Sequence, residues 1–367
     1  MAANKKNSAL KVREGVSQPS SLNERAIEQI RRSMKQPATA EVLIKELLAG
    51  NRTALSQAIT LVESALPGHL ETARALINMA MPFAGKSLRL GITGVPGAGK
   101  STFIDFFGNF LVKSGHRLAV LAVDPSSERS GGSILGDKTR METLAGLEQA
   151  FIRPSPSGGT LGGVARKTRE TIILCEAAGY DTIIVETVGV GQSETTVHSM
   201  VDFFLVLMIP GAGDELQGMK RGIMELADAI LINKSDGDNI ERSQRARAQF
   251  ANALHLFPPP PSGWTPQVLT CSSIEGTGVP DAWRLIGEYK ALVTKNGYFG
   301  KRRAEQSTYW MHQVLNEGVK NRFFQDPQVK KRMKDLEKML EKDQISSFEA
   351  ATELLEKFFP GNSGKEK

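Results

Sequence analysis

Between about residues 87 and 292 the chain alternates short, almost unbroken apolar runs with longer amphipathic stretches. The runs Leu88–Thr93, Leu118–Val123, Ala150–Arg153, Thr182–Glu186, Phe203–Met208, Ala229–Asn233 and Val268–Ser272 predict strands. A strand with one wet face would alternate polar and apolar residues, so near-continuous apolar runs suit strands covered by helices on both sides. The expected fold class is α/β, a mostly parallel sheet flanked by helices. Helical spacing precedes this region, in three stripes: Val42, Leu43, Leu47 and Leu48, ending at Gly50; then Leu55, Ile59, Leu61 and Val62; then Ala73, Leu76, Ile77 and Met79. It returns from about 301 to 359, where Ser346–Glu349 forms a capping box for a last helix holding Leu354, Leu355, Phe358 and Phe359, ended by Pro360 and Gly361. The expected division is a polar, disordered stretch at 1–22, a helical module at 23–86, the α/β domain at 87–298 and a helical arm at 299–367. Apolar stripes on that arm suit packing on a second subunit or back onto the same chain. Phe257–Ser262, with its four prolines, reads as a stiff loop.

The first candidate chemistry lies between the strand at Leu88 and the helix starting near Thr102. Gly94-Val95-Pro96-Gly97-Ala98-Gly99-Lys100-Ser101 matches the phosphate-loop pattern G-x-x-x-x-G-K-[ST]. Glycines let such a loop turn its N–H groups, and the helix N-terminus behind them, toward a phosphate. Lys100 is placed to reach β- and γ-phosphates and the Ser101 hydroxyl to ligate Mg²⁺. A nucleoside triphosphate is the expected ligand.

Asn233-Lys234-Ser235-Asp236 follows a later strand. In an N-K-x-D tetrapeptide the Asp carboxylate accepts from guanine N1–H and the exocyclic amine. Adenine offers an acceptor at N1, and the mismatch loses about 1.5–3 kcal/mol. Lys234 would lie along base and ribose, with Asn233 bracing the loop. Ser272-Ser273-Ile274, after the last strand, would give backbone N–H groups to guanine O6. Glu186 closes the strand at Thr182, where a carboxylate can hold Mg²⁺, and the Gly189 N–H could meet the γ-phosphate. Asp124 and Asp137 are further candidate carboxylates; since Mg²⁺ on phosphates needs only one or two, at least one of the three caps a helix or stands behind the ligands. Gln192 could orient the attacking water or be a plain surface residue.

Composition narrows the partners. The net charge is +6, with basic and acidic residues interleaved, and 6% of residues are aromatic. No basic stripe with stacking rings appears, so no nucleic-acid partner is expected. No apolar run is long enough for a membrane span. The five histidines are scattered without paired spacing, and none is given a catalytic role. The two cysteines, Cys175 and Cys271, lack metal-ligand spacing and suit a reducing cytoplasm.

Five segments in order, Gly94–Thr102, Asp124–Ser127, Gly136–Met141, Glu186–Glu194 and Gly213–Gly218, resemble the MeaB/ArgK type of P-loop GTPase. These are the methylmalonyl-CoA mutase-associated GTPases, which include the methylmalonic aciduria type A protein. Arg153–Ser157 and Gly159–Gly163 also fit, and the likeness runs over roughly residues 40 to 360. Glu186, where small GTPases usually carry Asp, is this family's own choice.

The resemblance implies a SIMIBI-class G domain with helical N- and C-terminal extensions, the latter a dimerisation arm. It implies a homodimeric chaperone that uses GTP hydrolysis to gate loading of adenosylcobalamin into an acyl-CoA mutase and exchange of damaged cofactor. Carried onto matching positions, it puts Lys100 on phosphate, Ser101 on Mg²⁺, and Asp124, Asp137 and Glu186 around the metal. It puts Asn233, Lys234 and Asp236 on guanine and Ser272–Ile274 on its O6, and likens Gly211–Arg221 to a "switch III" segment that contacts the mutase. With no arginine finger evident, hydrolysis is expected to be slow until the partner binds. Three other readings are a nickel-delivery GTPase of the same class, a kinase linked to basic amino-acid transport, and a nucleotide-regulated scaffold without turnover. The chain lacks the His-rich tail or Cys/His site of the first, and N-K-x-D argues against the second.

Overall fold

Seven strands form one parallel sheet in the order β3-β2-β4-β1-β5-β6-β7: β1 (Leu88–Gly94), β2 (Leu118–Val123), β3 (Ala150–Arg153), β4 (Thr182–Thr187), β5 (Phe203–Met208), β6 (Ala229–Ile232) and β7 (Gln267–Thr270). The computed structural model describes residues 39–64, 66–123, 141–154, 161–187, 193–211 and 221–359. All seven expected strands are present, their ends within two residues of the sequence reading. Their apolar runs follow from their position. Phe204, Val206 and Met208 face one core, while Phe203, Leu205 and Leu207 face the other. Both faces are dry, so alternation disappears.

The covering helices are α1 (Ala40–Leu48), α2 (Arg52–Glu63), α3 (Pro67–Ala80), α4 (Lys100–Lys113), α5 (Glu142–Ala145), α6 (Leu161–Ala177), α7 (Ser193–His198), α8 (Arg221–Leu226), α9 (Ile240–Leu254) and α10 (Val279–Lys295). Helices α1 to α3 share the core on one sheet face, with Leu43, Leu47, Leu55, Ile59 and Leu76 buried there. Val42 and Leu48, read from sequence as part of that stripe, are instead exposed. One helical turn separates Leu43 from Leu47, and their immediate neighbours point about 100° away from that line. Helix α4 leads the second core, with Phe103, Ile104, Phe107 and Leu111.

Helices α11 (Tyr298–Gln325), α12 (Pro327–Leu340) and α13 (Ser347–Phe358) follow. The Ser346 hydroxyl accepts from the Glu349 N–H at 3.1 Å, the cap the sequence predicts. Val329, Leu336, Ala350 and Leu354 form a small separate core between α12 and α13. The start of α11 is locked to the amino edge of the sheet. Arg303 donates to both oxygens of Asp202, at 2.8 and 2.7 Å, and to the Ser87 carbonyl at 2.7 Å. Asp202, almost fully buried, also accepts from the Arg89 N–H at 2.9 Å, and the Arg89 guanidinium forms a bidentate pair with Glu176. Among the described residues no helix is long and apolar enough to cross a membrane.

Candidate functional site

Strand β1 runs between β4 and β5, and register brings Ile92 beside Glu186 and Gly94 beside Leu207. The carboxyl ends of these strands therefore form one edge, with crossovers leaving in both directions, the usual crevice of an open parallel sheet. Every described candidate residue sits on this edge.

The loop from Gly94 to Gly99 turns because its glycines take conformations closed to other residues. Gly97 and Gly99 have φ of +77° and +81°. At Gly94 the reason is crowding: a Cβ would stand 2.2 Å from the Leu207 carbonyl oxygen. Helix α4 begins at Lys100, so its first N–H groups open onto the loop. Lys100 Nζ donates to the Gly94 carbonyl at 2.9 Å and reaches the Val95 carbonyl at 3.4 Å. Burial pulls its ammonium below the usual lysine range, opposed by the carboxylates of Glu186 and Glu194. A half-buried cation held by carbonyls of its own loop is a group an anionic ligand can recruit.

Ser101 Oγ lies 3.2 Å from Glu186 Oε1. A hydroxyl and a carboxylate converging beside a lysine are hard oxygen donors of the kind Mg²⁺ takes, so the residues present fit that ion. Beneath them the hydroxyls of Thr93 and Thr187 bond at 2.7 Å, tying the ends of β1 and β4 together in a buried position. Asp124, Asp137 and Gln192, also expected here, lie outside the described residues, as does most of Gly211–Arg221.

Asn233, 1% exposed, joins three loops. Its amide donates to the Ala98 carbonyl of the phosphate loop at 2.8 Å, and its Oδ1 accepts from the hydroxyl and N–H of Ser273 at 2.7 and 3.2 Å. Lys234 has φ of +60°, and its Cε stands 3.9 Å from where a Cβ on Gly99 would lie. Its chain therefore crosses above the phosphate loop. Ser272 Oγ donates to Asp236 Oδ2 at 2.5 Å and accepts from the Glu275 N–H at 3.1 Å, fixing the carboxylate plane. The phosphate-binding and base-binding candidates are thus one connected unit.

Two of the three N–H groups of Ser272–Ile274 are already bonded within the chain. The Ser272 N–H is committed to the Thr277 carbonyl at 3.0 Å, and that of Ser273 to Asn233. Ile274, at the tip of the loop, is 79% exposed. Sequence reasoning gave no role to Glu194 or to the Thr93–Thr187 pair. Glu194 lay inside a run already singled out, but only the fold reveals that it is buried near Lys100.

Against known proteins, the profile of the family described as "Methylmalonyl Co-A mutase-associated GTPase MeaB" matches residues 55–328, well over half of the chain. The chain belongs to the MeaB family of GTPases. GTPase ArgK of Escherichia coli is 51% identical over 291 residues, covering 79% of this chain and 88% of its own. The mitochondrial methylmalonic aciduria type A homologue of mouse is 44% identical over 336 residues, covering 89% and 81%. A solved structure titled as a LAO/AO transport system kinase superposes with a TM-score of 0.71 at 40% identity, over 88% of this chain and 99% of that one. Like other members of the MeaB family, the chain is a P-loop GTPase, with GTP and GDP as its ligands.

Proposed function

We propose that this GTPase uses GTP hydrolysis to gate delivery of adenosylcobalamin to an acyl-CoA mutase of the methylmalonyl-CoA mutase type, and to protect or reactivate that enzyme. The family description and the name of the mouse relative support the client, and the joined phosphate, metal and base candidates support the gate. The single observation that carries the reading is Lys100. Poised on the carbonyls of its own loop, it can move to β- and γ-phosphate oxygens when GTP enters. Asp236 holds guanine, with Lys234 along the base and Asn233 bracing the loops around it. Ser101 and Glu186, together with Asp124 or Asp137, would hold Mg²⁺, which when bound would neutralise charge on the phosphate oxygens. Gln192 orients the water that attacks the γ-phosphorus, giving GDP and phosphate. Hydrolysis is slow until the mutase completes the site.

The active form is a cytoplasmic homodimer joined through the C-terminal arm. On α11, Met311, Leu315 and Val319 repeat every four residues and are 58%, 58% and 43% exposed, an apolar line that favours a second copy. GTP turnover measured with and without methylmalonyl-CoA mutase tests the gate: a rise with the mutase supports it, and equal rates remove it.

A further inference from the structure

Helix α4 carries Phe103, Phe106, Phe107 and Phe110. Phe103 and Phe107 are fully buried and serve the core, whereas Phe106 is 36% exposed and points elsewhere. A Cβ built on Gly276 would stand 2.2, 2.8 and 3.1 Å from Phe106 Cζ, Cε1 and Cε2. The ring therefore fills the space any side chain at position 276 would need. Gly276, with φ of +78°, sits at the base of the loop whose tip is Ser273–Ile274.

That loop is closed on itself. The Gly276 N–H donates to the Ser272 carbonyl at 2.8 Å and the Ser272 N–H to the Thr277 carbonyl at 3.0 Å. Behind it, a Cβ on Gly278 would meet the Thr270 carbonyl oxygen at 2.2 Å, so the loop is also pressed onto the end of β7. Ser272 is anchored to Asp236 at the β7 end of the turn, so a shift of Gly276 passes to the Ser273–Ile274 tip while Ser272 stays in place. The Phe106 ring against its base sets how far its tip stands from α4, and the first turn of the same helix holds Lys100 and Ser101.

We propose that Phe106 is a positioning residue for base recognition: with Gly276 it fixes the loop that reads the C6 oxygen of guanine relative to the phosphate loop. This rests on the reading of Ser272–Ile274 as the base's O6 site. A hydrogen bond fades within a few tenths of an ångström, so a loop freed from the ring loses discrimination at C6 first. Recognition of the 2-amino group belongs to Asp236, which Ser272 holds, and is left intact.

The test is calorimetry on the full chain with GDP, 6-thio-GDP and IDP. Sulfur at C6 is larger and a weaker acceptor while both donors facing Asp236 are kept; IDP lacks only the 2-amino group. The wild type should prefer GDP over 6-thio-GDP by about tenfold, the worth of one good hydrogen bond. Phe106→Ala should cut that preference to roughly threefold or less and keep the GDP-over-IDP preference within about twofold. Gly276→Ala, which pushes the same contact from the other side, should give the same pattern. Equal loss for all three nucleotides in both variants, or undiminished 6-thio-GDP discrimination without the ring, overturns the proposal. A wild type that does not distinguish GDP from 6-thio-GDP overturns the O6 reading itself, and the proposal with it.

Discussion

Replacing Asn233 by Ala removes the side chain that joins the Gly94–Gly99 loop to the loops at Lys234–Asp236 and Ser272–Ile274. Three conventional hydrogen bonds go, amide to the Ala98 carbonyl at 2.8 Å and the Ser273 hydroxyl and N–H to Oδ1 at 2.7 and 3.2 Å, together with a weak one from the Cys271 thiol at 3.4 Å. At about 0.5–1.5 kcal/mol each, the gross loss is roughly 1.5–4.5 kcal/mol. The site is 1% exposed, so water does not readily replace the missing partners. Part of the loss falls on folding. The rest falls on binding, because GDP must then order loops that no longer brace one another. Assigning about 2 kcal/mol to binding predicts a GDP dissociation constant raised about thirtyfold. Calorimetry with GDP reads that number, and urea unfolding without nucleotide reads the folding share. An Asn233→Ala protein that binds GDP within twofold of wild type would refute the bracing argument, even if it unfolds more easily.

Gly94→Ala should destabilise the fold by about 3 kcal/mol or more, since the new Cβ meets the Leu207 carbonyl oxygen at 2.2 Å inside the sheet; urea unfolding checks it. Arg303→Ala leaves the buried Asp202 carboxylate without its guanidinium and should lower stability by about 3 kcal/mol, while the GDP affinity of the folded protein, at the opposite sheet edge, changes less than about threefold. His198 should make the protein acid-sensitive. A guanidinium can only donate, so the Arg302 contact at 3.0 Å requires an unprotonated Nε2, and burial with that cation pulls the imidazole down to about 3. Below the unfolded value of 6.5 the unfolded chain takes a proton the folded one refuses. Stability then falls by up to about 1.4 kcal/mol per pH unit until the folded value is reached, and His198→Gln should flatten that limb in unfolding curves taken between pH 7 and pH 5.

Much of this was legible because it is local. Seven apolar runs gave seven strands, since a doubly covered strand needs no partner in view to show its burial. Gly94–Ser101 and Asn233–Asp236 stand out as candidates because each packs its proposed chemistry into a few consecutive residues. The stripe of α2 announced its buried face in the same way; at α1 and α13 the reading was too wide, since Val42, Leu48, Leu355 and Phe359 are exposed, because only packing decides where a stripe stops.

What tertiary structure alone decided is the set of relations across distance. Ser272 spends its N–H on Thr277 and its hydroxyl on Asp236, Asn233 reaches back to Ala98, and Phe106 abuts Gly276. Arg303 finds Asp202, separated from it by a hundred residues of chain, only once β5 and α11 are docked. Sequence carries a periodicity or a short motif on its face because those arise from neighbouring residues. Which donor is already taken, and which ring stands against which backbone, follows from strand order and helix docking, and these emerge only when the whole sheet closes around its two cores.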